Sequence, residues 1–473
     1  MITGRGAAKR LFIFAVIWAC LISLSARGYA FAREAEDLSF AEVVLGAQDR
    51  ILILAPHPDD EVLGCGGIIQ QAVRMRLPLK IVFLTYGDNN QWSFAVYRKH
   101  PVLMPKAARA MGLIRHDEAL AADRILGIDP QQLVFLGYPD FRTINIWYSH
   151  WGASAPAKSM LTQVREVPYA NAFRPHAAYK GEEIVRDLQA VLREFKPTKI
   201  FLSHPADHNG DHRALYLFTR VALWGLEGEI NAALYPYLIH FRRWPQPKNY
   251  HPDMQLKPPS FFQDKIVWQS HSLSPDGVKV KYSAIKKHRS QFISSAGYLL
   301  SFVRPNELFG DFPAVVLRPR HSSLFLRSGG EQGAAQSPEE LTDEERAVFV
   351  GIEENYVRLE GDYLVFSVKL SRPVAKSVGV SLYIFGYRSD RQFQDMPKLH
   401  ISFGAIEHKV FDQNRLLPLG IIEVVRQPKK ITIRLPLAVL GNPQRVLTSA
   451  RTYSGVVPLD RVSWRVAEIC VKE

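Results

Sequence analysis

The chain has 473 residues, of which 47% are hydrophobic and 22% are charged. This composition is ordinary for a globular protein, and it excludes a collagen, a coiled coil and a disordered tail. At roughly 150 residues per domain, the length allows two or three domains. The net charge of +13 comes from 59 Lys and Arg against 46 Asp and Glu, without a clustered basic stripe. We therefore expect no nucleic-acid partner.

The first thirty residues read as a secretory signal peptide. Three basic residues precede an uncharged run from Leu11 to Leu24, and the small-residue pattern Ala30-Phe31-Ala32 follows. We predict a signal peptide over 1–32, export to the periplasm or the cell exterior, and no stable membrane span after cleavage. The alternative is an uncleaved membrane anchor, although the run is shorter than the ~20 residues that usually span a bilayer.

Strand and helix signals alternate from residue 50 to about 225. Short apolar runs and periodic stretches predict four strands and four helices. The strands are 51–55, 79–85, 133–136 and 199–203, and the helices are 67–76, 115–126, 181–195 and 212–224. This alternation predicts an α/β domain with a Rossmann-like, doubly wound, mostly parallel sheet. We place the domain at 45–320 and expect one further helix near 277–300.

The chain changes character near residue 330. A stretch rich in Gly, Ser, Gln and Glu predicts a linker over 321–340. Beyond it, 363–370 and 431–435 alternate apolar and polar residues with a period of two, which is typical of β-strands. We predict a smaller antiparallel β-sandwich at 341–473. Its aromatic residues either pack in the core, the commoner role in a sandwich, or form a carbohydrate-binding surface, and they are Tyr383, Phe385, Tyr387 and Phe393.

Two clusters of ionisable residues each follow a predicted strand. The first, APHPDDE, contains His57, Asp59, Asp60 and Glu61, and the second, SHPADHNGDHR, contains His204, Asp207, His208, Asp211 and His212. Burying these charges unpaired would cost several kcal/mol each, so they need a cation. Because the carboxyl ends of parallel strands meet at one edge of a sheet, we expect the two clusters to lie together.

The residue types predict a transition metal at that edge. His57 and Asp60, three residues apart on a turn, can converge on one ion while Asp59 between them stays free. Two nitrogen ligands, one carboxylate and one open position are the pattern of a catalytic zinc site. The histidines favour a transition metal over calcium.

At these residues the sequence resembles the LmbE/PIG-L family of zinc-dependent N-acetylglucosaminyl deacetylases. The family hallmark A-H-P-D-D-E is matched with one Pro inserted after Ala55, and a second motif, ending in Asp-His-Arg, matches Asp211 to Arg213. Softer similarities extend the resemblance over roughly residues 50–310. They are Thr85-Tyr86-Gly87-Asp88, Arg115 with Glu118, Gly137-Tyr138-Pro139-Asp140, and His288 with Ser290-Gln291.

The resemblance implies a role for individual residues. It implies one Zn²⁺ per chain held by His57, Asp60 and His212, Asp59 as the general base, and sugar contacts from Arg115 and Asp140, with Arg115 in the first turn of its helix. Many members stabilise the tetrahedral intermediate with a histidine three residues before the third ligand, where this chain has Asn209. Asn209, His208 or His204 could take that role. We expect Glu61, Asp211 and His204 to support the ligands.

The leading functional hypothesis is a metal-dependent N-deacetylase, a hydrolase of linear amide C–N bonds. Its substrate would be an N-acetylglucosamine-type sugar in a glycan or glycoconjugate, and its products acetate and a free amine. One alternative is a zinc amidase that acts on another N-acylated small molecule. The other is a non-catalytic glycan-binding envelope protein. The sequence determines neither the size of the substrate nor the oligomeric state.

Overall fold

The structure is a computed structural model that describes residues 40–470 except 99–103, 320–321, 328–342, 375–376 and 456. The predicted signal peptide and most of the predicted linker lie outside the described residues. None of the helices in the described part of the chain combines the length and apolar character needed to cross a bilayer.

The described residues up to Asp311 contribute eight strands. They are β1 Ala41–Glu42, β2 Ile51–Ala55, β3 Leu79–Thr85, β4 Leu133–Tyr138, β5 Lys199–Ser203, β6 Ala233–Tyr237, β7 Val267–Ser272 and β8 Asn306–Asp311. From β2 onward they form one sheet in the order β7-β8-β6-β5-β2-β3-β4. Strands β4, β3, β2, β5 and β6 run parallel, and β8 pairs antiparallel with β6 and β7. The prediction of a mostly parallel α/β sheet is confirmed.

Helices connect these strands. They are α1 Asp60–Arg74, α2 Gln91–Arg98, α3 Pro105–Leu126, α4 Thr143–Ser149, α5 Gly181–Phe195, α6 Gly210–Trp224, α7 Pro275–Ile285 and α8 Arg289–Leu300, with 3₁₀ turns at Pro130–Gln132 and Ser260–Phe262. Helix α5 has the predicted bounds because two acids favour its first turn and Lys196 ends it in the left-handed conformation. The helix predicted near 277–300 is two helices, since the chain turns between α7 and α8.

The second half of the chain forms two packed sheets. Their strands are β9 Val315–Leu317, β10 Ser322–Arg327, β11 Ile352–Glu360, β12 Tyr363–Leu370, β13 Val378–Tyr387, β14 Lys398–Phe403, β15 His408–Asp412, β16 Arg415–Leu417, β17 Glu423–Gln427, β18 Lys430–Pro436, β19 Arg445–Ser454, β20 Val457–Arg461 and β21 Arg465–Ile469. One sheet has the order β10-β11-β12-β18-β17, and the other β16-β15-β14-β13-β19-β21-β9 with β20 beside β19. A short helix, α9 Asp343–Val348, and 3₁₀ turns at Phe393–Asp395, Leu419–Ile421 and Leu437–Leu440 complete it.

A single apolar core fills the space between the two sheets. Val357 and Phe366 of one sheet join Leu382 and Ile384 of the other in one buried cluster. The predicted sandwich is confirmed, and its pairing is antiparallel except where β9 joins β21 in parallel. It begins earlier than predicted, because β9 and β10 pair with sandwich strands. These two strands lie before residue 341, where the sequence placed the start of the sandwich.

The sandwich packs on the α/β domain through aromatic rings. Each of the four aromatic residues that suggested glycan binding is buried against a ring of that domain. The pairs are Trp147–Phe385, Trp147–Phe393, Tyr148–Tyr383 and Trp224–Tyr387, with ring centroids 5.4, 5.4, 4.6 and 4.9 Å apart. A carbohydrate-binding surface on these residues is therefore wrong, because protein rings already occupy their faces.

Candidate active site

The topology brings the two predicted clusters together. Strands β2 and β5 are hydrogen-bonded parallel neighbours, so their carboxyl ends lie side by side. The segment after β2 carries His57, Asp59 and Asp60 into α1, and the segment after β5 carries Asp211 and His212 into α6. This sheet edge is where ligands bind in open α/β folds.

His57, Asp60 and His212 converge on one point. His57 Nδ1 and His212 Nε2 each lie 3.1 Å from the same carboxylate oxygen, Asp60 Oδ2. All three side chains are buried. They form a group whose ligand atoms are close enough to share one metal ion. Two imidazole nitrogens and one carboxylate are the donor types that suit zinc and similar ions.

The other nitrogen of each histidine faces carboxylates. His57 Nε2 lies 3.1 Å from Asp140 Oδ1 and 3.2 Å from Asp211 Oδ2, and His212 Nδ1 lies 3.2 Å from Asp207 Oδ2. A proton on each of these nitrogens would be held by a carboxylate, which leaves His57 Nδ1 and His212 Nε2 with lone pairs for a cation. The residues present therefore fit a bound transition metal.

A second group of possible ligands, His57 with Asp140 and Asp211, fits a metal less well. Both oxygens of Asp211 already accept backbone hydrogen bonds, from Thr143 N at 3.0 Å and from Phe141 N at 2.6 Å. Asp140 Oδ2 accepts the N–H of Asn89 at 2.9 Å. These two carboxylates lie on the Nε2 side of His57, opposite the nitrogen that faces Asp60.

The charges of the site depend on one another. Burial alone would lower the pKa of His212, but Asp207 and Asp60 raise that pKa to about 9. Burial would likewise raise the pKa of Asp60, but His212 and His57 hold it well below its usual range. Without a metal, protons on the two imidazoles therefore hold this acidic cluster together.

Asp59 lies outside the group of metal-binding residues, at the N-terminus of α1. Its backbone has the unusual φ of 131°, and the side chain of Glu61 accepts its N–H at 2.9 Å. Its carboxylate lies 3.4 Å from Arg115 Nη2. Burial raises the pKa of Asp59 to about 7, against the opposing charge of Arg115. Strained backbone and a pKa near neutrality are common for catalytic bases.

Comparison with known proteins places this region in a family. The family model PIG-L, described as GlcNAc-PI de-N-acetylase, matches residues 52–223. Residues 52–223 form a PIG-L family domain. The resemblance predicted from the sequence is confirmed for this region.

The match to each individual relative covers only part of this chain and part of the relative. The 1D-myo-inositol 2-acetamido-2-deoxy-alpha-D-glucopyranoside deacetylase of Mycobacterium sp. (strain KMS) is 29% identical over 182 residues, which are 37% of this chain and 51% of that protein. A putative glucosamine-6-phosphate deaminase-like protein of Bacteroides thetaiotaomicron is 24% identical over 284 residues, 52% of this chain and 36% of that protein. The chain thus spans about half or less of these curated relatives. The N,N'-diacetylchitobiose deacetylase structure from Pyrococcus horikoshii is 20% identical, with a TM-score of 0.30, and the match covers 52% of this chain and 71% of that one.

The two predicted sugar contacts, Arg115 and Asp140, both line the pocket, and they also make contacts that hold the site together. Arg115 donates to Gly87 O at 3.0 Å and to Pro58 O at 2.8 Å. It lies in the middle of α3, so its predicted place in a first turn is wrong, because the helix begins ten residues earlier. Gly87 has a φ of 65°, and a side chain there would collide with the guanidinium.

The pocket is lined by His57, Asp59, Asp60, Leu63, Asn90, Arg115, Asp140, Phe141, Asn209, His240, Gln291, Ser295, Tyr298 and Leu299.

The three candidates for stabilising the intermediate lie in different places. Asn209 lines the pocket, and its side-chain oxygen caps α6 by accepting the N–H of Asp211 at 2.8 Å. His208 packs on Phe241 instead, with ring centroids 4.7 Å apart. His204 is fully buried, and its Nδ1 accepts the N–H of Ala206 at 3.0 Å. Neither histidine lines the pocket, so Asn209 is the one of the three placed for the role.

Five of the residues that line the pocket come from segments that follow the second cluster, namely His240, Gln291, Ser295, Tyr298 and Leu299. His240 lies after β6, with its ring 4.8 Å from that of His212, and Tyr298 Oη is 3.2 Å from His240 Nδ1. Gln291 accepts a hydrogen bond from Asn90 at 2.8 Å. No local signal in the sequence marked Tyr298. The position of these pocket residues depends on how α8 packs across the sheet edge.

Replacing either proposed histidine ligand should remove the metal. We expect His57→Ala and His212→Ala proteins to lose bound zinc, because one nitrogen and one carboxylate bind it poorly. His208→Ala is the matched control, since this histidine of the same loop lies outside the group. Metal content per folded chain is the measurement. Full zinc occupancy in both ligand variants would contradict the assignment.

Metal binding should also release protons. Because the pKa of His212 is about 9 in the metal-free protein, zinc must displace a proton from it at pH 7.5. We expect the apparent affinity to rise about tenfold per pH unit for each proton released, and to level off above pH 9. Calorimetry in two buffers of different ionisation enthalpy counts those protons. Binding with no proton release at pH 7.5 would show that the histidines are neutral before the metal arrives.

Proposed function

We propose that this protein is an exported, zinc-dependent deacetylase that hydrolyses the N-acetyl group of an N-acetylglucosamine-type sugar in a glycan or glycoconjugate. The observation that carries the proposal is the group of His57, Asp60 and His212, two of which line a pocket together with Asp59, a carboxylate outside the group. The match of residues 52–223 to a de-N-acetylase family supports the reaction type.

The proposed reaction needs a metal that the three residues would hold. A bound Zn²⁺ would act as a Lewis acid that polarises the acetyl carbonyl and acidifies water. The chain's own contribution is to hold the two imidazoles in the correct tautomers, through Asp140, Asp211 and Asp207. It also keeps Asp59 free, because the side chain of Glu61 and the guanidinium of Arg115 hold it from either side.

Asp59 is the proposed general base. With a pKa near 7, its carboxylate can accept the proton of the attacking water and then release it to the departing nitrogen. The water oxygen forms a bond to the acetyl carbon, the C–N bond breaks, and the proton goes to the amine. Asn209 and His240 line the same pocket, and we assign them the role of donors to the oxygen that gains charge.

The test is acetate release from N-acetylglucosamine monomers, oligomers and polymers, with and without a chelator. We expect release from at least one of these sugars and its loss when the metal is removed. Release from N-acylated compounds that are not sugars, with none from any sugar, would favour the zinc amidase. Metal binding without release from any substrate would favour the non-catalytic binding protein.

Export is proposed from the N-terminal sequence. When the full chain is expressed in a bacterial host, we expect the mature protein outside the cytoplasm with an N-terminus near Phe31 or Arg33, because the A-x-A pattern precedes those residues. N-terminal sequencing of each cell fraction is the measurement. A chain that keeps Met1 in the membrane fraction would indicate an anchor, and one that keeps it in the cytosol would remove the extracellular substrate.

A further inference from the structure

One side chain of the β-sandwich reaches the segment that leads into the proposed metal site. Arg461, the last residue of β20, is 9% exposed and extends from the sandwich to the segment between β5 and α6. Its Nη2 donates to Asp207 O at 3.0 Å and to Ala206 O at 3.4 Å, and its Nη1 donates to His208 O at 3.3 Å. One guanidinium therefore binds three consecutive backbone carbonyls.

Residues 206–208, whose carbonyls Arg461 contacts, lie next to groups of the candidate active site. The carboxylate of Asp207 faces His212 Nδ1 at 3.2 Å and accepts the backbone N–H of His240 at 2.8 Å. Asn209, one residue beyond the contacted carbonyls, lines the pocket. A shift of this backbone would therefore move the carboxylate that orients His212, the backbone of His240 and Asn209 together.

Two arginines from opposite domains hold these carbonyls. Arg213 of α6 donates from Nη1 to Asp207 O and to His208 O, each at 2.7 Å, and Arg461 adds its contacts from the sandwich. Arginine suits this task because its planar fork presents several donors in fixed directions and keeps its charge when buried. The carbonyls are thus fixed between two rigid elements.

Hydrogen bonds to neighbouring strands hold the end of β20, where Arg461 lies, in place. The Asp460 carboxylate accepts the N–H of Arg461 at 2.8 Å and the N–H of Ile352 at 2.7 Å, which ties β20 to β11. Val462 N donates to Ala450 O of β19 at 2.7 Å. The sandwich as a whole is packed on the α/β domain by the aromatic pairs described above. Its position relative to the metal site is therefore set before any ligand binds.

We propose that Arg461 is a positioning residue of the active site and that the β-sandwich is a structural part of the catalytic unit. Through the carbonyls of 206–208, Arg461 holds Asp207 against His212 and Asn209 at the pocket. The inference rests on the proposed function for its effect on turnover, while its effect on metal binding is independent of the substrate.

The test compares Arg461→Met with a matched control, Arg445→Met. Arg445 also bridges the two domains, by contacts of 2.8 and 2.9 Å to the carboxylate of Glu227, but it touches none of the pocket residues in the described structure. For Arg461→Met we expect roughly 10-fold weaker Zn²⁺ binding and a similar fall in kcat, the lower end of the range for groups that orient metal ligands. KM should change by less than about twofold, since the pocket residues remain.

Two further readouts separate positioning from simple attachment. The visible spectrum of the Co²⁺-loaded protein should change in Arg461→Met and stay as wild type in Arg445→Met, because only the first disturbs His212. Arg461→Lys should recover part of the affinity, since one ammonium reaches fewer carbonyls. If Arg461→Met does not fold, Arg461→Lys and Arg445→Lys give the same comparison with smaller effects.

Wild-type zinc affinity, cobalt spectrum and kcat in the folded Arg461 variants would overturn the proposal. So would equal losses in the Arg461 and Arg445 variants, which would indicate only a loosened interface. If the wild-type protein releases no acetate from any substrate, the proposed function fails instead. Zinc affinity and the cobalt spectrum still decide the role of Arg461 in that case.

Discussion

Asp59→Asn is expected to keep its zinc and to lose a factor of ~10²–10⁴ in turnover, the usual contribution of a general base. The amide has the size of the carboxylate and still accepts hydrogen bonds, but it cannot take a proton near neutral pH. Asp59 lies outside the group of His57, Asp60 and His212, so the metal should remain. KM should change much less than kcat, because the pocket is otherwise intact.

Asp123→Asn is the matched control for this experiment. Asp123 is a fully buried aspartate of α3 whose pKa burial raises well above its usual range, and it does not line the pocket. Its turnover should stay near wild type, because Asp123 does not line the pocket and the amide keeps the size of the carboxyl. Zinc content and acetate release are measured side by side. An Asp59→Asn protein without zinc would make Asp59 a ligand, and one with full activity would contradict its role as base.

Removal of residues 341–473 is expected to prevent the remaining chain from folding into a soluble protein. Trp147 and Trp151 are fully buried, and rings of the sandwich, among them Phe393 and Trp464, cover them. Exposing a large apolar side chain costs about 1.5–3 kcal/mol, and a typical domain is stable by only ~5–15 kcal/mol. The deletion also leaves β9 and β10 without their sandwich partners.

Soluble yield and thermal unfolding of the truncated chain are the measurements. A chain from residue 40 to the C-terminus is the control, because it keeps both domains. A soluble truncated protein that unfolds cooperatively, binds zinc and hydrolyses a small substrate would show that the sandwich is a separable module. That result would also contradict the role inferred for Arg461.

The sequence alone was sufficient for features that depend on local pattern. The apolar runs of β2, β3 and β5 and the amphipathic stripe of α5 predicted their bounds, because burial on both faces of a sheet or on one face of a helix leaves a periodic signal. The meeting of the two ionisable clusters could also be predicted, because the carboxyl ends of parallel strands lie at one edge of the sheet. The choice of His212 from the second cluster came from the family resemblance.

Only the tertiary structure decided which distant residues complete the site and what the second domain does. Helix α1 begins at Asp60 and not at Gly67, because packing on the sheet overrides the low helix propensity of its glycines. The arrival of His240 and Tyr298 at the pocket, and of Arg461 at the loop before α6, depends on contacts between segments far apart in sequence. The sequence of the sandwich aromatics would be the same whether their rings faced a glycan or another domain. Their packing against Trp147 decided between the two, because a ring face covered by another protein ring cannot also bind a sugar.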